Sequence, residues 1–80
     1  MSLKVMVTGA GGHIGTHLVP ALVARGHVVR AAVRDAGDPV RLAQFRAAGV
    51  TDVAGFDVRD AGRFAQAAAG IDVLVHLAAT

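Results

Sequence analysis

Hydrophobic positions along the 80-residue chain alternate between short continuous runs and stretches with helical spacing. Lys4-Val5-Met6-Val7 is a short apolar run ending at Thr8-Gly9, which reads as a strand buried on both faces. Across residues 13–25 the apolar positions Ile14, Leu18, Leu22 and Val23 fall at helical spacing, and Arg25-Gly26 supplies a basic last turn and a glycine stop. Pro20 inside this helix removes a main-chain hydrogen bond and crowds the carbonyl four residues back, so a mild kink is expected. Residues 28–33 form a second strand-like run, and Gly37-Asp38-Pro39 is a turn that opens a helix to about Ala48, with proline in its first turn. A third strand is expected over residues 51–56. Asp60 then caps a third helix that carries Phe64, Ala67 and Ala68 on one face and stops at Gly70. Residues 71–77 read as a fourth strand.

The connections are too long for hairpins, so the strands should be parallel with right-handed crossovers. The expected fold is α/β: a three-layer Rossmann-type parallel sheet with strand order 3-2-1-4, the N-terminal half of such a domain. Residues 1–80 form one unit, the N-terminal part of a nucleotide-binding domain, and no linker, repeat or low-complexity tract divides it.

Between the first strand and first helix stands Thr8-Gly9-Ala10-Gly11-Gly12-His13-Ile14-Gly15, with Gly9, Gly12 and Gly15 at every third position. A strand-turn-helix of this kind suits a phosphate. Gly9 allows a backbone conformation that a side chain would penalise, Gly12 lets the main chain approach a pyrophosphate, and Gly15 lets the helix pack on the strand. The phosphates would then meet the amides and positive dipole end of the helix. The spacing G-x-G-x-x-G is not met, because counting from Gly9 and Gly11 places Ile14 where its third glycine belongs.

Thr-Gly-x-x-Gly-x-x-Gly resembles the cofactor signature of the short-chain dehydrogenase/reductase superfamily, and Gly12-His13-Ile14-Gly15 resembles its extended, epimerase/dehydratase-like branch. The likeness extends over nearly the whole chain. Arg25-Gly26-His27-Val28-Val29-Arg30, Asp57-Val58-Arg59-Asp60 and His76-Leu77-Ala78-Ala79 resemble, in order, that branch's entry to strand two and its motifs after strands three and four.

The resemblance implies a dinucleotide cofactor as partner, with Asp57 accepting from the adenine amino group and the backbone at Val58 completing the contact. Leu77, Ala78 and Ala79 would pass beside the ribose. Asp57 also suits a turn, and residues 77–79 also suit a core. His13 is a candidate donor to a phosphate. Enzymes of this kind that prefer NAD carry an acid at the end of strand two. Val33 stands there, eighteen residues after Gly15, and Arg34 follows. Arginine at that position resembles the superfamily's 2′-phosphate ligand, so NADP is expected, with NAD as the alternative and Asp35 as the competing ribose-binding acid.

The implied function is the cofactor-binding segment of an NAD(P)-dependent epimerase, dehydratase or reductase; the alternatives are a non-catalytic NADP(H)-sensing regulator and a structural half-domain. In the resembling superfamily a tyrosine and a lysine four residues later serve catalysis. This chain has no tyrosine and a single lysine, Lys4, so no catalytic residue is assigned within it.

Composition narrows the picture further. A hydrophobic share of 54% with only two prolines belongs to a globular chain, not a disordered one. The absence of cysteine excludes disulfides, thiolate metal sites and thiol catalysis. A cytoplasmic location is expected from this and from the lack of a leader pattern at the N-terminus. The net charge is +2, and the seven arginines are scattered among acidic residues, so no nucleic-acid partner is implied. The uncharged stretch 5–24 contains four glycines, two histidines and a proline and is no membrane span. No histidine and carboxylate set has metal-ligand spacing, so no metal is expected. His76 is read as a satisfied core histidine. Residues 73–77 lack a guarding lysine or proline, so self-association through the fourth strand is expected for an 80-residue product.

Overall fold

The computed structural model describes residues 2–78. Its elements are β1 (Lys4–Thr8), α1 (His13–Ala24), β2 (Val28–Val33), α2 (Pro39–Ala47), β3 (Asp52–Gly55), α3 (Ala61–Ala67) and β4 (Val73–His76). All strand pairs are parallel, and the sheet order is β3-β2-β1-β4, as expected.

Burial follows from that order. β1 has a neighbour on each side and helices on both faces, and Val5, Met6, Val7 and Thr8 are all buried. Alternate side chains of β1 enter different cores. Val5 and Val7 meet Val19 of α1, Ala31 of β2 and Phe45 of α2. Met6 meets Ala32 and Phe56, with Phe64 of α3 packed against them. The rings of Phe56 and Phe64 lie edge to face with centroids 5.7 Å apart, a favoured aromatic arrangement. The three layers are thus α1 with α2, the sheet, and α3.

Most boundaries differ from expectation by a residue or so; α3 and β4 differ by more. α3 ends at Ala67 with Ala68 as its C-cap, short of the expected stop at Gly70. β4 is shorter at its start. It begins at Val73 and not at residue 71, because Ile71 packs into the α3 cluster and Asp72 clasps Lys4. The Asp72 amide donates to the Lys4 carbonyl (2.8 Å), and the Lys4 amide donates to Asp72 Oδ2 (2.8 Å). α1 runs unbroken through Pro20. Pro20 and Thr16 are both exposed, so the Thr16 carbonyl that loses its donor can be solvated. Asp60 caps α3 as expected, accepting from the Arg63 amide, and Asp38 caps α2, accepting from Val40 with Pro39 in the first turn.

β2 and β3 lie to one side of β1 and β4 to the other, so the winding reverses between β1 and β4. Crevices at such reversals, outside the carboxyl ends of the strands, are where open α/β sheets take ligands.

Candidate functional site

The turn after β1 occupies that crevice. Gly9 has φ +65°, and a Cβ there would lie 2.9 Å from the Ala78 amide nitrogen; conformation and crowding both require glycine. Gly15 is buried, and a Cβ on it would come within 2.6 Å of the Ala10 carbonyl oxygen. It is what lets α1 rest on the turn. Gly12 is different: its φ is −79°, and a Cβ would meet only the Gly9 carbonyl oxygen, at 3.3 Å. The fold tolerates a side chain at Gly12, and the open space above it is free for something else. Gly12 starts α1 with no side-chain cap and no acidic residue in the first turn. The first-turn amides, which have no intrahelical partners, therefore form an uncompensated positive dipole end.

Beside this turn lies a cavity of about 390 Å³. Gly9 and Ala78 form one wall, and Val33, Arg34, Asp57 and Val58 form others. Arg59, which the sequence reading did not single out, also lines it. Asp57 is held on both oxygens: Oδ1 accepts from the Arg59 amide (2.9 Å) and Nε (3.0 Å), and Oδ2 accepts from Arg59 Nη2 (2.7 Å). Arg34 Nη2 reaches Oδ2 at 3.3 Å. Hydrogen bonds from the Arg59 side chain and then its amide hold the Asp57 carboxyl well below the usual carboxylate range, with the Arg34 charge a smaller contribution.

A second cavity, of about 240 Å³, adjoins the first through Val33 and Arg34 and is completed by Asp35, Asp38 and Arg41. The Asp35 carboxylate accepts from the Gly37 amide (2.8 Å), and that of Asp38 accepts from Val40 (3.0 Å), so both serve the entry to α2. Arg41, half-buried on α2, lays its guanidinium over Gly11, where a Cβ would overlap it. Arg41 links the glycine turn to the Arg34 cavity. The sequence reading placed it among scattered surface arginines; the available signal was its position in the first turns of the helix that follows Arg34.

Thr8 ties β1 to the end of β4 at the crevice. Its Oγ1 accepts from the amides of Leu77 (3.1 Å) and Ala78 (3.4 Å) and lies 2.7 Å from His76 Nδ1. A hydroxyl has two lone pairs and one proton. With both lone pairs engaged by amides, the hydroxyl proton is directed at Nδ1, which accepts it. His76 was expected in the core. It is exposed, because β4 is a sheet edge, but it does have its partner.

The structure thus brings Gly9, Arg34, Asp57, Val58 and Ala78 around one cavity. Gly12, His13 and Ile14 stand at the start of α1, with His13 and Ile14 exposed and the His13 ring edge-on to His17 at 5.3 Å. Leu77 packs against the α1 and α2 core. Ala79 lies outside the described residues. Among the described residues there is no cluster of three metal-ligating side chains, and no helix is long and apolar enough to cross a membrane.

The chain is 41% identical to the sterol demethylase protein B of Methylococcus capsulatus, over 96% of this chain and 22% of that protein. It is 38% identical to the isoflavone reductase homolog IRL of Zea mays, over 92% of this chain and 25% of that one. The UDP-glucose 4-epimerase of Stenotrophomonas maltophila, solved with bound NAD and a formylated UDP-arabinopyranose, superposes with a TM-score of 0.81 at 30% identity, covering 98% of this chain and 25% of the epimerase. The chain therefore spans about a quarter of the length of these relatives. The model of the NmrA-like family matches residues 1–79, nearly end to end, and the chain belongs to that family.

Proposed function

We propose that these residues bind the adenosine and pyrophosphate half of a nicotinamide dinucleotide, with NADP(H) preferred, as part of an epimerase-, dehydratase- or reductase-type oxidoreductase. The observation that carries this reading is the meeting of Gly9, Arg34, Asp57 and Ala78 around one cavity beside the uncapped start of α1. Gly12, with open space where its Cβ would stand, and the α1 amides suit the pyrophosphate. Asp57 and Val58 suit the adenine edge, and Ala78 suits a ribose. When bound, the nicotinamide supplies hydride transfer. The residues on this chain bind and orient; the proton donor and acceptor are proposed to belong to a part of the protein outside these 80 residues.

The NADP(H) preference rests on Arg34 and Arg41. They are the two cations of the smaller cavity, and each of its two carboxylates gives one oxygen to an amide at the entry to α2, Asp35 to Gly37 and Asp38 to Val40. Two guanidiniums lining one cavity can pair with a phosphate. A hydrogen bond to a charged group contributes about 1.5–3 kcal/mol, so Arg34→Ala should weaken NADPH about ten- to a hundredfold and leave NADH nearly unchanged. Fluorescence titration with both cofactors tests this. Equal NADPH affinity in Arg34→Ala and the parent chain refutes the preference.

The β4 edge bears on how the 80-residue product behaves. Val73 and Leu74 are 40% and 44% exposed, on a strand with a neighbour on one side only. An unpaired edge with apolar side chains is a template for another strand. The expected result is concentration-dependent association in light scattering, and a monodisperse monomer across the concentration range contradicts it.

A further inference from the structure

We propose that Asp57 is a specificity-determining residue, which competes with a cofactor phosphate for the guanidinium of Arg34. The inference rests on the phosphate reading of Arg34 above and adds a residue that sets how strong the preference is. Arg59 alone satisfies both Asp57 oxygens, through its amide, Nε and Nη2, at 2.7–3.2 Å. Arg34 makes the longest contact to that carboxylate, 3.3 Å, and its side chain is 78% exposed, against 64% for Arg59. Arg34 is therefore the detachable member of the cluster. Arg34 also lines both cavities, the larger with Asp57 and the smaller with Arg41.

A ligand without a phosphate in the smaller cavity leaves Arg34 on Asp57. A ligand with one draws Arg34 toward it, so its gain is the new contact minus the one given up. The exposed pair is weak, of the order that shifts an equilibrium by about two- to fivefold. Asp57 thus lowers the advantage of the phosphorylated cofactor. The same negative charge that recruits Arg34 to the cavity limits how completely a phosphate can claim it.

The adenosine halves of the two cofactors, 2′,5′-ADP and 5′-AMP, isolate this effect, because they need only elements present in the 80-residue chain. Asp57→Asn keeps the size and one acceptor oxygen and removes the charge. The affinity ratio of 2′,5′-ADP to 5′-AMP, measured by NMR titration, should rise about two- to fivefold in Asp57→Asn, and Asp57→Ala should move it the same way. In the Arg34→Ala background the rise should largely vanish. An unchanged or lowered ratio in Asp57→Asn, with Arg34→Ala alone lowering it, overturns the competition and leaves the phosphate reading standing. A rise that persists in the Arg34→Ala background also overturns it, since the carboxylate would then act on the phosphate through space. No effect of Arg34→Ala on the ratio overturns the phosphate reading itself, and this inference with it.

Discussion

Gly12→Val is expected to abolish dinucleotide binding in a chain that remains folded. At Gly12 the backbone is in an ordinary extended conformation, φ −79° and ψ −179°, which valine adopts readily. The nearest obstacle to its Cβ is one carbonyl oxygen at 3.3 Å, a few tenths of an ångström from comfort. The isopropyl group would instead fill the space above the turn, where the main chain must approach a pyrophosphate, and would screen the first-turn amides of α1. Gly15 gives the opposite expectation. A Cβ there meets Ala10 main-chain atoms at 2.6–2.7 Å, and main chain at the foot of a packed helix cannot turn aside. Gly15→Ala should therefore cost stability, about 1–3 kcal/mol as overpacking. Urea unfolding followed by circular dichroism, together with cofactor titration, separates the two. Gly12→Val should keep its unfolding midpoint and lose binding, and Gly15→Ala should lose midpoint first. Cofactor affinity that survives in a folded Gly12→Val protein would mean that the glycines serve only the turn.

This contrast between two glycines of one motif marks how far the sequence could be read. The element order and sheet order were legible, because each strand is either a short apolar run or lies between strong helix signals, and right-handed crossovers leave few ways to arrange them. Asp60 as a helix cap was legible for the same local reason. What escaped the reading depends on distances that no local pattern encodes. Arg41 meets Gly11 from an element 30 residues away, and Arg34 meets Asp57 across the ends of β2 and β3. The pairing of Thr8 with His76 spans 68 residues and follows only from the parallel register in which the two stand opposite each other. His76 was expected in a core because an apolar strand suggests burial on both sides. The strand is at the edge, and its polar tip finds a neighbour on β1 instead.

Thr8→Val should loosen the crevice from its floor. Thr8 is 0% exposed, and its hydroxyl is the common partner of three groups on the β4 side: the Leu77 amide, the Ala78 amide and the His76 ring. Valine keeps the shape and removes all three bonds. The Leu77 amide retains the Thr8 carbonyl at 3.2 Å. The Ala78 amide has no such second partner among the described residues, and a part-buried donor left unmade costs about 1–3 kcal/mol. In a domain of this size that is a large part of the total stability, so the unfolding midpoint should fall clearly. Thr8→Ser, which retains the hydroxyl, should recover most of the loss. Two local readouts distinguish an anchoring role from a general weakening of the core. Amide exchange at Ala78 should accelerate in Thr8→Val more than exchange at Val7 or Ala31, and the His76 ring nitrogen signals should lose the pattern of an Nδ1 acceptor. Because Ala78 stands against Gly9 at the cavity wall, cofactor affinity should fall with them. Uniform acceleration of exchange across β1, with no excess at Ala78, would show that the hydroxyl supports the core as a whole and does not hold this segment in place.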